Sequence, residues 1–119
     1  MISQETKAFH IAVYTAVSRI PYGSVTSYGH IAELIGRPQN PRQVGLSLKH
    51  SFQLLELLRQ DNIELLELPW WRVVSSSGLI AKRDDEYEQK RLLEAEGVEV
   101  TGMKILLNEY GWFPEGLEG

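Results

Sequence analysis

Cysteine is absent from the 119-residue chain, which removes disulfides, thiolate metal sites and cysteine nucleophiles together. No apolar run of about 18 residues occurs, and no charged-then-apolar leader, so neither membrane insertion nor secretion is expected and the protein is read as intracellular. Internal repeats, low-complexity tracts and linkers are lacking. The length suits one core and is too short for two, so 1–119 is read as one domain. His10, His30 and His50 have no metal-ligand spacing; no metal and no cofactor is inferred. What remains is ordinary for a globular protein, with 43% hydrophobic and 24% charged residues.

Positive charge is scarce, yet it is not spread evenly. The net charge is −4, the wrong sign for a nucleic-acid binder taken whole. From Tyr22 to His50, however, Arg37, Arg42 and Lys49 face only Glu33, and from Trp70 to Arg83 there are three bases (Arg72, Lys82, Arg83) and no acid. Residues 84–119 hold ten acids against three bases, a net of −7. A local basic footprint on an acidic protein is therefore compatible with DNA, as a weak signal.

Punctuation along the chain predicts mostly helical structure. Ser3 caps a helix with Phe9, Val13, Val17 and Ile20 at helical spacing, ended by Pro21-Tyr22-Gly23. Ser27 caps a second helix through Ile35, stopped by Gly36. Asn40-Pro41 opens a third through about His50, and the pair reads as helix-turn-helix. Between Ser51 and Leu68, Leu54, Leu55, Leu57 and Leu58 suit a short amphipathic helix that Asp61-Asn62 breaks. Val73-Val74, Ser75-Ser76-Ser77-Gly78 and Leu79-Ile80 read as a hairpin or wing. Asp84 caps a helix to about Glu96, ended by Gly97; Val98, Val100 and Ile105 to Leu107 read as a terminal pair of extended segments. The expected class is mostly α, a winged helix-turn-helix-like single domain with a short β hairpin.

Several motifs then occur in one order: Pro21-Tyr22-Gly23-Ser24-Val25-Thr26-Ser27-Tyr28-Gly29-His30-Ile31-Ala32, Arg42-Gln43-Val44-Gly45, Pro69-Trp70-Trp71-Arg72-Val73-Val74, Ser77-Gly78 and Glu96-Gly97. Together they resemble the C-terminal domain of the O6-alkylguanine-DNA alkyltransferases, over nearly the whole chain except Ser51 to Leu68. In that family the third run reads Pro-Cys-His-Arg-Val, and its cysteine accepts the alkyl group irreversibly. Trp70 stands in its place here. This substitution resembles the alkyltransferase-like proteins, which bind the lesion without transferring the group and are thought to pass the site to nucleotide excision repair. Alkyl transfer needs a soft, activated nucleophile prepared by a base; Trp70 and Trp71 supply neither, so no enzyme is expected. The alkyltransferase-like proteins usually keep the histidine that Trp71 replaces. Glu96 matches the glutamate that orients it, is thereby left without its partner, and is read as structural.

The resemblance implies roles for further residues. Tyr28 would crowd the 3′ phosphate to help rotate the nucleotide, and Arg42 would fill the stack where the base was; the plain alternatives are a half-buried core aromatic and a solvated first-turn residue. Gly45 and Ser47 match the small residues that press into the minor groove, whereas Pro41 and Gln43 are bulkier. Lys49 would meet a phosphate. Trp70, Trp71, Val73 and Arg83 would form the lesion pocket, with Arg83 against the flipped base and backbone carbonyls near Trp70 and Val73 receiving the exocyclic amine. Arg72 is expected to make a structural salt bridge or bind backbone. The implied partners are duplex DNA containing O6-alkylguanine and nucleotide excision repair proteins; a monomer is expected, nuclear if eukaryotic, in the cytoplasm or nucleoid if bacterial. Two other classes stay open: a winged-helix regulator, for which Val44-Gly45-Leu46-Ser47-Leu48 offers few base-edge readers, and a protein-interaction module using 84–119 or 51–68.

Overall fold

The computed structural model describes residues 3–63, 68–82 and 86–117. Along the chain it builds α1 (Gln4–Ser18), β1 (Thr26–Ser27), α2 (Tyr28–Leu34), α3 (Pro41–Lys49), α4 (Ser51–Gln60), a 3-10 turn (Trp70–Arg72), β2 (Val73–Val74), α5 (Glu86–Ala95) and α6 (Leu107–Tyr110). The mostly helical class is as expected. Ser3 starts α1 by accepting the Thr6 N–H at 3.1 Å, and the helix turns Val13, Tyr14, Ala16 and Val17 inward. Ser27 has two duties, closing β1 and capping α2 through the His30 N–H at 3.1 Å. Asn40 does stand before Pro41 at the head of α3, but its side chain makes no capping bond. The proline's fixed φ sets that start instead.

Three helices end in the same hydrogen-bond pattern. After α2, the N–H of Arg37 returns to the Ala32 carbonyl at 2.8 Å and that of Gly36 to Glu33 at 3.0 Å, a Schellman stop. Asn62, with φ of 62°, ends α4 in this way, so the break expected at Asp61-Asn62 is real. Gly97, with φ of 88°, ends α5; Val98 N–H reaches back to the Leu93 carbonyl at 3.0 Å, and both side chains are buried together. Asp84, expected as the cap of α5, and residues 64–67 of the Ser51 to Leu68 segment lie outside the described residues.

The strands depart from the expected hairpin. A turn does form, with Ser75 N–H donating to the Leu79 carbonyl at 3.0 Å and Gly78 N–H to that of Ser75 at 2.9 Å. Yet β2 pairs in parallel with β1, Thr26 beside Val73 and Ser27 beside Val74, while Leu79 bridges Lys104. Burial explains the choice: Val73 and Val74 are both 0% exposed, the pattern of a strand covered on both faces rather than of a half-wet hairpin arm. Successive side chains on a strand point oppositely. Val73 enters a core built by α1, α2, α3 and α4, and Val74 enters a second one of Val25, Ile80, Leu93, Val98, Val100 and Ile105. The strand pair is thus the seam between two core clusters. The expected terminal pair reduces to a Thr101–Lys104 bridge, and Leu107 begins α6 instead. Among the described residues no helix is long and apolar enough to cross a membrane.

Candidate nucleic-acid interface

α2 and α3 pack as the two helices of a helix-turn-helix, and α3 buries Val44, Ser47 and Leu48. Helical spacing then turns Arg42, Gly45, Leu46 and Lys49 outward; Arg42, Leu46 and Lys49 are exposed. Tyr28, the first residue of α2, is half-buried beside this face. Its ring carbons lie 3.9 Å from where a Cβ on Gly45 would sit. The fold therefore brings Tyr28, Arg42, Gly45 and Lys49 to one helix face. Ser47 is not part of it. It is 1% exposed, its Oγ lies 2.7 Å from His10 Nδ1, and its carbonyl accepts the Tyr14 hydroxyl at 2.8 Å. A small residue was needed there for packing inside the protein.

On the other side of the seam, the turn Trp70–Arg72 faces the end of α5. The Schellman stop fixes the backbone of Glu96, and its carboxylate accepts four N–H groups: Gly23 at 2.9 Å, Trp71 Nε1 at 2.8 Å, Arg72 Nε at 2.9 Å and Arg72 Nη2 at 2.7 Å. The Arg72 and Glu96 side chains are only 13% and 6% exposed. Burial pushes the Glu96 carboxyl up, but hydrogen bonding to Arg72, Gly23 and Trp71 and the Arg72 charge outweigh it, and the carboxyl sits below its ordinary value. Arg72 also donates Nη1 to the Ile20 carbonyl at 2.9 Å and lies 5.6 Å from the ring centroids of both Tyr22 and Trp71. It is the structural ion pair expected. Glu96, expected to lack a partner, has one in the Trp71 indole.

Trp70 and Trp71 meet edge to face, centroids 5.9 Å apart and planes at 86°. Both are partly buried, Trp70 against the first core and Trp71 against the second. Val73 is fully buried, and its carbonyl accepts Gln89 Nε2 at 3.0 Å, as the Trp71 carbonyl does at 3.1 Å. A carbonyl has two lone pairs, so one on Val73 is already engaged. Sequence reading missed Gln89. The signal was there: it lies four residues before Leu93 on the buried stripe of α5. Arg83 lies outside the described residues. The turn offers N–H donors, carbonyls and π faces, groups that bind and orient but do not displace an alkyl group. A cleft of about 560 Å³ lies elsewhere, on the α1 and α4 flank of α3, lined by Phe9, His10, Gln43, Leu46, His50 and Leu54 among others.

Residues 8–98 match the family described as 6-O-methylguanine DNA methyltransferase, DNA binding domain. The chain is 43% identical over 114 residues to alkyltransferase-like protein 1 of Schizosaccharomyces pombe, covering 89% of this chain and 95% of that protein. It is 38% identical over 109 residues to a DNA base-flipping protein of Vibrio parahaemolyticus, covering 89% and 97%. The fold resembles the crystal structure of S. pombe Atl1 in complex with damaged DNA containing O6-carboxymethylguanine, with TM-score 0.72 and 41% identity over 96% of this chain and 100% of that one.

Proposed function

The chain belongs to the family of the 6-O-methylguanine DNA methyltransferase DNA-binding domain, and on that premise we propose that it recognises an O6-alkylated guanine in duplex DNA, flips the base out and holds it without removing the alkyl group. The carrying observation is the run Pro69-Trp70-Trp71-Arg72-Val73 in a chain without cysteine. An indole occupies the place of the family's alkyl acceptor and a second one the place of its base. Relatives named for base flipping, and one crystallised on damaged DNA, support the binding half of the reading.

In this reading α3 enters the minor groove. Tyr28 crowds the backbone beside the target, Arg42 fills the gap left in the stack, Gly45 permits close approach and Lys49 meets a phosphate. Extruding a base costs on the order of a few kcal/mol, least for a damaged pair, and a planar guanidinium replaces lost stacking and hydrogen bonds. Trp70 and Arg83 take the flipped purine and its apolar adduct, with backbone carbonyls near Trp70 receiving the exocyclic amine; the Val73 carbonyl expected beside them is buried and bonded to Gln89 instead. The protein acts as a monomer and, having no chemistry of its own, marks the site for nucleotide excision repair.

The test titrates the protein against matched duplexes carrying guanine or O6-methylguanine, followed by intact-protein mass spectrometry. Tighter binding to the alkylated duplex with unchanged protein mass is expected. Equal affinities would remove the lesion reading, and a mass gain equal to the methyl group would make the protein an alkyl acceptor.

A further inference from the structure

Trp71 is held from three sides. Its indole N–H is fixed by Glu96 at 2.8 Å, its carbonyl by Gln89 at 3.1 Å, and its ring has the Arg72 guanidinium 5.6 Å from its centroid. Trp70 packs edge to face on this ring at 5.9 Å. The two indoles sit on opposite sides of the seam, Trp70 against the first core and Trp71 against the second. A ring fixed at its N–H, its main chain and its face is a rigid surface, and whatever packs on it inherits an orientation. We infer that Trp71 is a positioning residue: it replaces a base that would prepare a nucleophile with an N–H donor that locks Trp70 in place for the damaged guanine. The inference rests on the lesion reading above.

Chemistry makes the substitution coherent. Histidine beside a carboxylate can take or give a proton, whereas an indole N–H only donates. The same Glu96 hydrogen bond can therefore be kept while proton transfer is lost, and the larger ring adds surface on which a second indole packs. Glu96 does not depend on Trp71 for its charge, since Arg72 and Gly23 still donate to it. Removing the indole N–H should therefore leave the fold standing.

The test compares the wild type with Trp71→Phe and Trp71→His, and reads two quantities. The first, on the free protein, is the rigidity of the Trp70 indole N–H from nitrogen-15 relaxation; the chain has three tryptophans, so assignment by deletion is direct. The second is the ratio of affinities for O6-methylguanine and guanine duplexes. Trp71→Phe is expected to loosen Trp70 and to cut the preference about ten-fold, with a lower urea midpoint from the hydrogen bond lost to the buried Glu96; both readings are taken where the variant is folded. Trp71→His, which restores a donor to Glu96 but offers Trp70 a smaller ring to pack on, is expected to recover part of both. A Trp70 indole as rigid in Trp71→Phe as in the wild type would overturn the inference, and so would a histidine variant no better than phenylalanine. If the wild type itself shows no preference, the lesion reading fails, while the free-protein relaxation still decides whether Trp71 positions Trp70.

Discussion

A carboxylate only 6% exposed survives at position 96 because four N–H donors converge on it from the segment before β1 and from the turn before β2. Such a group makes stability depend on acid. The folded Glu96 carboxyl lies below the ordinary 4.5, so its contribution is whole above that value and is lost as the pH falls through the folded one. Glu96→Gln keeps the shape but leaves Arg72 buried without its anion, a loss of about 3 kcal/mol at neutral pH. Urea midpoints measured between pH 3 and 7 should show the wild type and Glu96→Gln converging on acidification. A gap independent of pH would mean that packing, not the ion pair, is what Glu96 supplies. Motif order made Glu96 legible in the sequence. Its bond to Trp71 was not, because the family pattern draws attention to the missing imidazole and away from the indole's own donor.

At the level of elements, helix starts and stops were legible because they are local. Ser3, Ser27, Gly36, Asn62 and Gly97 each act within a few residues of themselves. Strand pairing was not, since it needs a partner about 47 positions away, from Thr26 to Val73. The doubled valine, lacking alternation, was the available hint. The segment that does turn back, at Gly78, docks beside the Thr101–Lys104 turn: Ile105 N–H donates to the Gly78 carbonyl at 2.9 Å. Gly78 has φ of 88°, and a Cβ there would lie 2.2 Å from the Ile105 carbonyl oxygen. Gly78→Ala therefore meets a backbone conformation that disfavours a side chain and a clash with main chain that cannot rotate away. A loss of about 2–3 kcal/mol is expected, seen as a lower urea midpoint, with plain-DNA affinity little changed where the variant is folded because α3 is seated on the first core. An unchanged midpoint would show that the turn is not docked as described.

For the whole molecule, the proposed function requires a chain of net charge −4 to hold a polyanion. The exposed bases of the helix-turn-helix half are few: Arg37, Arg42 and Lys49. Each phosphate neutralised contributes about −0.9 to the slope of log affinity against log salt, so two or three contacts give a slope of about −2 to −3. Discrimination by the proposed pocket has a different origin, since stacking and apolar contact release no condensed counterions. Titrations of guanine and O6-methylguanine duplexes from 50 to 200 mM salt should then give two parallel lines, offset by the preference. Arg42→Ala should lower the alkylated line more than the plain one, because only the extruded state needs a side chain in the stack. Its slope should change little if Arg42 stacks among the bases, and by about one unit if it merely meets a phosphate. Lines that converge as salt rises would make the lesion preference electrostatic. A slope steeper than about −6 would require many more phosphate contacts than α3 carries, and with it a second DNA-binding surface.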